Sequence, residues 1–497
     1  MNFDSLMPPF VLLTSLIAAV IIFFLREENH RARTVWNLGA AVVKLLLVGY
    51  MLWGVFHEHV FETRIGLLPG LNLSFHADAM SMFFITLSAT LWLFTTIYAI
   101  GYLEHSPHRS RFFGFFSLCV SSTVGIALAD DLLTFLIFYE LLTLSTYPLV
   151  VHRGTQISAR AGRVYLAYTL LGGAAVLVGT AWLYSLTGTL SFREQGFLSD
   201  LPAERHNALR AIFFILIAGL GVKAALVPLH GWLPRAMVAP APVSALLHAV
   251  AVVKAGAFGI VRVVSDVYGI EFCASLGVLS VLTVLASVTI VYGSVRALAQ
   301  DDLKKRLAFS TVSQVSYITL GIALGGPLAA LGGIVHLVHQ GVMKITLFFG
   351  AGNLAETLGI HRISEMDGVG RRMPWTMVTF TVAALGTIGV PPGAGFVSKW
   401  YLSVGALEAG QPLVIGVLIA SSLLNAAYFL PILYRAWFRP ASGKWPTDGT
   451  RRAECAWSLL APPLVTAALS LGFGLFANWA ISPLSWARLI TFREFGI

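Results

Sequence analysis

Charge is what this sequence has least of. Asp, Glu, Lys and Arg make up 11% of its 497 residues against 57% hydrophobic ones, and the mean hydropathy is +0.78. A soluble globular domain carries about 25% charged residues. Apolar runs recur from end to end, so the chain reads as a polytopic membrane protein and not as a soluble core with an anchor. Cysteine is also scarce: Cys119, Cys273 and Cys455 are scattered with no CxxC pair, which leaves no framework for disulfides, iron–sulfur clusters or zinc. There is no glycine-rich phosphate loop after a strand and no low-complexity tract. No cofactor and no metal site is expected. The first apolar run, 10–25, lacks a basic n-region and a small-residue cleavage site, and reads as a retained helix.

The net charge of +9 invites a nucleic-acid partner, but its cations lie in short loops between apolar runs, not along one soluble face. The bilayer is the expected partner. Runs long enough to cross a hydrocarbon core of about 30 Å fall at 8–25, 35–56, 79–100, 112–129, 131–151, 164–187 and 209–227. Seven more follow at 240–265, 272–296, 307–324, 328–352, 375–402, 411–438 and 456–480. With the N-terminus outside, 21 Lys and Arg fall in inside loops and 6 in outside loops and the tail, as the positive-inside rule requires. One spurious span would flip every later loop. Fourteen spans with both termini outside are therefore expected, in a bacterial cytoplasmic membrane. No loop is large enough to be a soluble domain.

The few ions left inside spans carry the interest: Lys44, Glu140, Lys223, Lys254, Arg262, Lys344 and Lys399, joined by His248, His336 and His339. A charge at a helix centre costs about 2.5–3.5 kcal/mol. The five deepest would cost roughly 15 kcal/mol, comparable to the whole stability of a typical protein. They are tolerable only where they face one another, water or polar backbone. Lys44 is expected to snorkel and Arg262 to serve structure near a helix end. Glu140 is the one acidic residue deep in a span, and a structural pair would need only one lysine where four stand ready. Desolvation favours the neutral form of either side chain, which is what allows a proton to be exchanged.

Two spans break. The seventh reads GVKAALVPLHGWLP, with Pro228, Gly231 and Pro234 just after Lys223; the twelfth reads GTIGVPPGAGFVSKW, with Pro391, Pro392, Gly393 and Gly395 just before Lys399. Broken helices at membrane depth line protein or a water-filled cavity, and paired breaks in two halves point to inverted repeats and an ion site. Spans 4–8 and 9–13 are two sets of five. Five is odd, so the second set runs upside down, as the mirrored lysine–break order predicts. The chain then divides into one membrane domain of three leading spans (1–111), a first repeat (112–265), an inverted second repeat (272–438) and a last span with its tail (456–497). On span 11, GGIVHLVHQGVMKITLFF places His336, Gln340 and Lys344 on one polar stripe, with His339 beside it. Lys254, between the two halves, suits a linking residue.

DDLLTFLIFYELLTLSTYPLV (130–150), KAALVPLHGWLPRAMVAPAPVSALLHAVAVVKAGAFG (223–259), DDLKKRLAFSTVSQVSY (301–317) and GVPPGAGFVSKWYL (389–402) give the chain a family resemblance. It resembles the proton-translocating antiporter-like subunits shared by respiratory complex I, membrane-bound hydrogenases and Mrp-type cation/proton antiporters. SSLLNAAYFLPILYRAWF (421–438) brings it nearest to the D-type member of the Mrp antiporters. The resemblance implies an all-α fold of fourteen transmembrane helices with inverted five-helix repeats. It implies that Glu140 and Lys223 pair on the input side, that Lys254 connects, that His336, His339 and Lys344 continue a hydrated axis, and that Lys399 is the terminal exchange site. His248, Asp302 and Lys304 also fall on family positions. Gln340 stands where some members carry a second histidine, and the end soon after span 14 suits a middle-sized subunit.

The expectation is a proton-conducting subunit with no catalytic chemistry of its own. It would sit in a hetero-oligomeric membrane complex beside a related antiporter-like subunit, moving protons, with Na+ as a second candidate cargo. A redox-driven pump fits the same residues. A quinone-binding redox subunit, a scaffold with idle charges, and a subunit paired with an anion transporter stay open as alternatives.

Overall fold

The computed structural model describes residues 3–68, 71–104, 106–441 and 454–496. Twelve of its helices are long and apolar enough to cross a membrane, from Phe3–Phe24 to Trp457–Leu475. Two further spans complete the expected fourteen. Span 10, Leu303–Ala323, carries the polar face of KKRLAFSTVSQVSY. Span 12 is the broken pair Pro374–Ile388 and Ala394–Glu408. Of the loop cations counted above, Lys444, Arg451 and Arg452 lie outside the described residues.

Burial shows which spans meet lipid. Span 8 (Ala241–Tyr268) is buried over all of its most apolar window and span 11 (Pro327–Leu358) over 94% of it, whereas spans 1, 2, 6, 13 and 14 are buried over only 33–39%. Spans 8 and 11 therefore form the interior. They are the spans that carry His248, Lys254, His336, His339 and Lys344.

Side-chain caps start several spans. Asp78, Asp131, Thr155 and Asp302 accept the backbone N–H of Ser81, Thr134, Ser158 and Lys305, each satisfying a donor that a helix start leaves free. Asp302 is thus a cap. Lys304, close by in the first turn, donates to the Ala239 carbonyl at 2.5 Å, tying span 10 to the junction of spans 7 and 8.

Four features depart from the sequence reading. The loop expected at 57–78 holds an antiparallel hairpin, β1 (Glu62–Leu68) with β2 (Leu71–His76). The tail forms a helix, Pro483–Phe495. Span 8 is interrupted between Ala249 and Val252, then runs through a wide turn, Val263–Tyr268, that draws Asp266 into the bundle. Lys44 does not snorkel: it is fully buried, its Nζ donates to Ser15 Oγ at 2.6 Å, and it lies 4.7 Å from the Trp92 ring. A hydroxyl and an aromatic face inside the bundle supply what water would otherwise supply.

Candidate functional site: a buried ionisable axis

The helix of span 7 ends at Lys223 itself (His206–Lys223) and resumes only as short turns, Leu229–Gly231 and Trp232–Arg235. Pro228 and Pro392 each follow a cis peptide bond within their break. Trp232 Nε1 also donates to the carbonyl of Val222 at 2.7 Å, at the end of that helix. Span 8 closes against this break because residue 256 is glycine: a Cβ there would stand 2.2 Å from Ala224 N and 2.7 Å from the Lys223 carbonyl carbon.

Lys223 is fully buried. Its Nζ donates to the carbonyl of Tyr139 and lies 3.3 Å from the centre of that ring. Glu140, the next residue, is its electrostatic neighbour. No direct ion pair joins them among the described residues, so the expected pairing is one of neighbours, not of contact. Glu140 is wedged against span 6, where a Cβ on Gly173 would overlap its carboxylate, and its Oε1 is buried with no hydrogen-bond partner. A buried lysine and a half-buried glutamate thus stand side by side, and neither is locked to the other.

The second group centres on span 11. His336 Nδ1 meets Ser398 Oγ at 2.7 Å, and His336 lies within electrostatic reach of Lys254, His339, Lys344 and Lys399. Lys254 Nζ, both ring nitrogens of His248 and both amide atoms of Gln340 are buried without partners on the protein. Buried polar atoms are as a rule hydrogen-bonded. Orphans crowded along one axis mark where water or a moving proton would be held.

Lys344 and Lys399 are joined by side chains that the sequence did not single out. Lys344 Nζ donates to Ser310 Oγ, and Ser310 meets Tyr428 OH at 2.7 Å. Tyr428 donates to Asn425 Oδ1 at 2.6 Å, and Asn425 Nδ2 donates to the Thr387 carbonyl at 3.3 Å. Lys399 Nζ donates to that same carbonyl at 3.2 Å, to Ile388 O at 2.8 Å and to Ser422 Oγ at 3.0 Å. The break in span 12 thus seats Lys399 on the C-terminal carbonyls of its own first half, where the helix dipole favours a cation.

Tyr428→Phe removes the hydroxyl that links Ser310 to Asn425. A net hydrogen bond is worth about 1 kcal/mol; if the chain conducts protons as its resemblance implies, initial transport rates in vesicles should fall roughly fivefold with the protein still assembled. An unchanged rate would detach Tyr428 from the path.

A family model described as NADH:quinone oxidoreductase/Mrp antiporter, TM, matches residues 129–425, and one described as the N-terminus of complex I chain 5 matches 69–113. The N-type subunit of the NADH-quinone oxidoreductase of Desulforudis audaxviator is 36% identical over 83% of this chain and 84% of its own. The chain belongs to the NADH:quinone oxidoreductase/Mrp antiporter family. Within this family the D-type subunit of the Na(+)/H(+) antiporter of Bacillus subtilis is 27% identical over 95% of this chain and 94% of its own length. The chain spans only 61% of the L-type NADH-quinone oxidoreductase subunit of Mycobacterium tuberculosis, with which it shares 34% identity. Among solved structures, the Mrp complex from Dietzia sp. DQ12-45-1b superposes with a TM-score of 0.86 at 24% identity, covering 99% of both chains. That fold is shared with a multi-subunit membrane assembly. As an antiporter-like membrane subunit, this chain carries Glu140–Lys223 and the Lys254–His336–Lys344–Lys399 group as two clusters. Each lies beside one of this chain's broken spans, 7 and 12.

Proposed function

We propose that the chain conducts protons as the D-type member of an Mrp-type monovalent cation/proton antiporter in a bacterial cytoplasmic membrane, with both termini outside. Spans 4–8 and 9–13 act as two half-channels. A proton enters by one, passes along Lys254, His336, His339 and Lys344, and leaves by the other at Lys399. The observation that carries this reading is the seating of a buried lysine at each of two helix breaks, with hydrogen bonds leading from one of them, Lys399, to Lys344. Sodium sites want several oxygen ligands. Glu140 is the only carboxylate placed in the two half-channels among the described residues, so if Na+ moves, much of its path lies on a related antiporter-like partner subunit. The near full-length match in both directions to the Bacillus subtilis antiporter subunit supports the assignment.

Lys399→Ala should abolish transport while the complex still assembles. Retained transport would leave the chain a scaffold. The higher identity to a subunit of an NADH-quinone oxidoreductase favours a second reading, a pump module of a redox complex. Gentle-detergent purification from the native membrane, with mass spectrometry of what co-elutes, separates the two. Small membrane subunits with a larger antiporter-like relative support the antiporter; iron–sulfur or quinone-site subunits support the pump.

A further inference from the structure

Span 8 ends, on the face that carries the hairpin and the C-terminal helix, in a knot of acids that the axis does not use. Arg262 is its clamp. Its Nη1 donates to Asp78 Oδ2 at 2.6 Å and to Asp266 Oδ2 at 2.8 Å, and its Nη2 donates to Asp78 Oδ1 and Ser81 Oγ, each at 2.8 Å. Burial alone would push the Asp78 carboxyl up, but the bidentate Arg262 guanidinium overrides it and holds the group at about 2. Asp78 is therefore ionised at any physiological pH, and the one charge of Arg262 is shared between it and Asp266.

That leaves Asp266 facing Glu494. Glu494 comes from the C-terminal helix, and its carboxyl lies within hydrogen-bonding reach of the Asp266 carboxyl. Asp266 is 1% exposed and Glu494 8%, and Glu494 Oε2 finds no donor on the protein. Besides Arg262, already shared with Asp78, no cation forms an ion pair with either of them among the described residues. His76 on β2 is turned to Asp130, 3.6 Å away. Arg193 and Glu194 enter together from the loop after span 6, lining a cavity of about 110 Å³ with His76, Asp78, Arg262 and Asp266. Burial, and then the neighbouring Asp266, raises the Glu494 carboxyl well above the usual carboxylate range. Two buried carboxyl groups in such contact cannot both ionise. Among the described residues no three His, Cys, Asp or Glu side chains converge as a metal site.

We propose that Asp266 and Glu494 form one proton-binding site, a single hydrogen shared between two carboxyl groups, which fastens the C-terminal helix to the end of span 8. The other end of that helix is held independently, by Trp486 Nε1 on the Ala79 carbonyl at 2.7 Å. The site stands whether or not the axis conducts. Loss of its proton sets two buried anions face to face and loosens the helix at Glu494.

Infrared spectroscopy of the purified complex at neutral pH, in H2O and in D2O, tests this. The wild type should show a deuterium-sensitive C=O stretch of a protonated carboxylic acid that is lost both in Glu494→Gln and in Asp266→Asn. Either amide supplies the hydrogen that the site requires, so both variants should assemble. Equal protonated-acid intensity in the wild type and the variants would overturn the proposal. So would loss of a carboxylate signal instead, the mark of an ionised pair around a cation. Failure of both variants to assemble would overturn it too, since each keeps a donor between the two groups.

Discussion

Glu140→Gln should reduce proton-coupled transport by about 100-fold or more, the scale on which a positioned proton-transfer group contributes, while the protein inserts and assembles normally. The geometry separates these two outcomes. Glutamine has the shape of glutamate and fits the space beside Gly173 that a Cβ would fill. Glu140 Oε1 has no hydrogen-bond partner to lose, and no ion pair among the described residues holds the carboxylate in place. What glutamine lacks is the ability to take up and release a proton next to Lys223. Quenching of a pH-sensitive dye in everted vesicles reads the rate, and immunoblotting of the complex reads assembly. Transport at the wild-type rate would remove Glu140 from the mechanism.

Lys223→Ala should lose as much, and the informative comparison is with Lys223→Arg. Both lysine and arginine could hold a charge over the Tyr139 ring. Arginine, however, stays protonated at any accessible pH, whereas a buried lysine can let its proton go. Lys223→Arg should therefore assemble and conduct poorly. Wild-type transport in Lys223→Arg would mean that Lys223 serves as a fixed charge, and the first half-channel would need a different proton carrier.

Hydropathy and loop charge make the fourteen spans legible, and proline with glycine make the breaks in spans 7 and 12 legible, because each signal is local in the chain. The interruption of span 8 is not legible in this way. No Pro or Gly lies between His248 and Lys254, and the helix yields there beside the close approach of Gly256 to span 7. The same limit hides Ser310, Asn425 and Tyr428, ordinary polar residues until folding brings spans 10 and 13 to Lys344 and Lys399. Lys44 misleads for a related reason: its acceptor, Ser15, lies on another span, and a lysine alone in a run looks free to reach the interface. Asp266 falls one residue beyond the span read from hydropathy, since a run of apolar residues gives no sign that the helix continues through a wide turn.

The seat of Lys399 counts hydrogens. It offers three oxygens, from Thr387, Ile388 and Ser422, and an ammonium has three hydrogens to give. A neutral amine has two. When the proton leaves, Nζ can still donate to the two carbonyls, but the bond to Ser422 persists only if the serine hydroxyl turns round to donate to the amine. If Lys399 exchanges a proton as proposed, the second helix break turns that exchange into a change in how the side chain is held. The Asn425 amide, bonded to that same Thr387 carbonyl, is positioned to feel the difference.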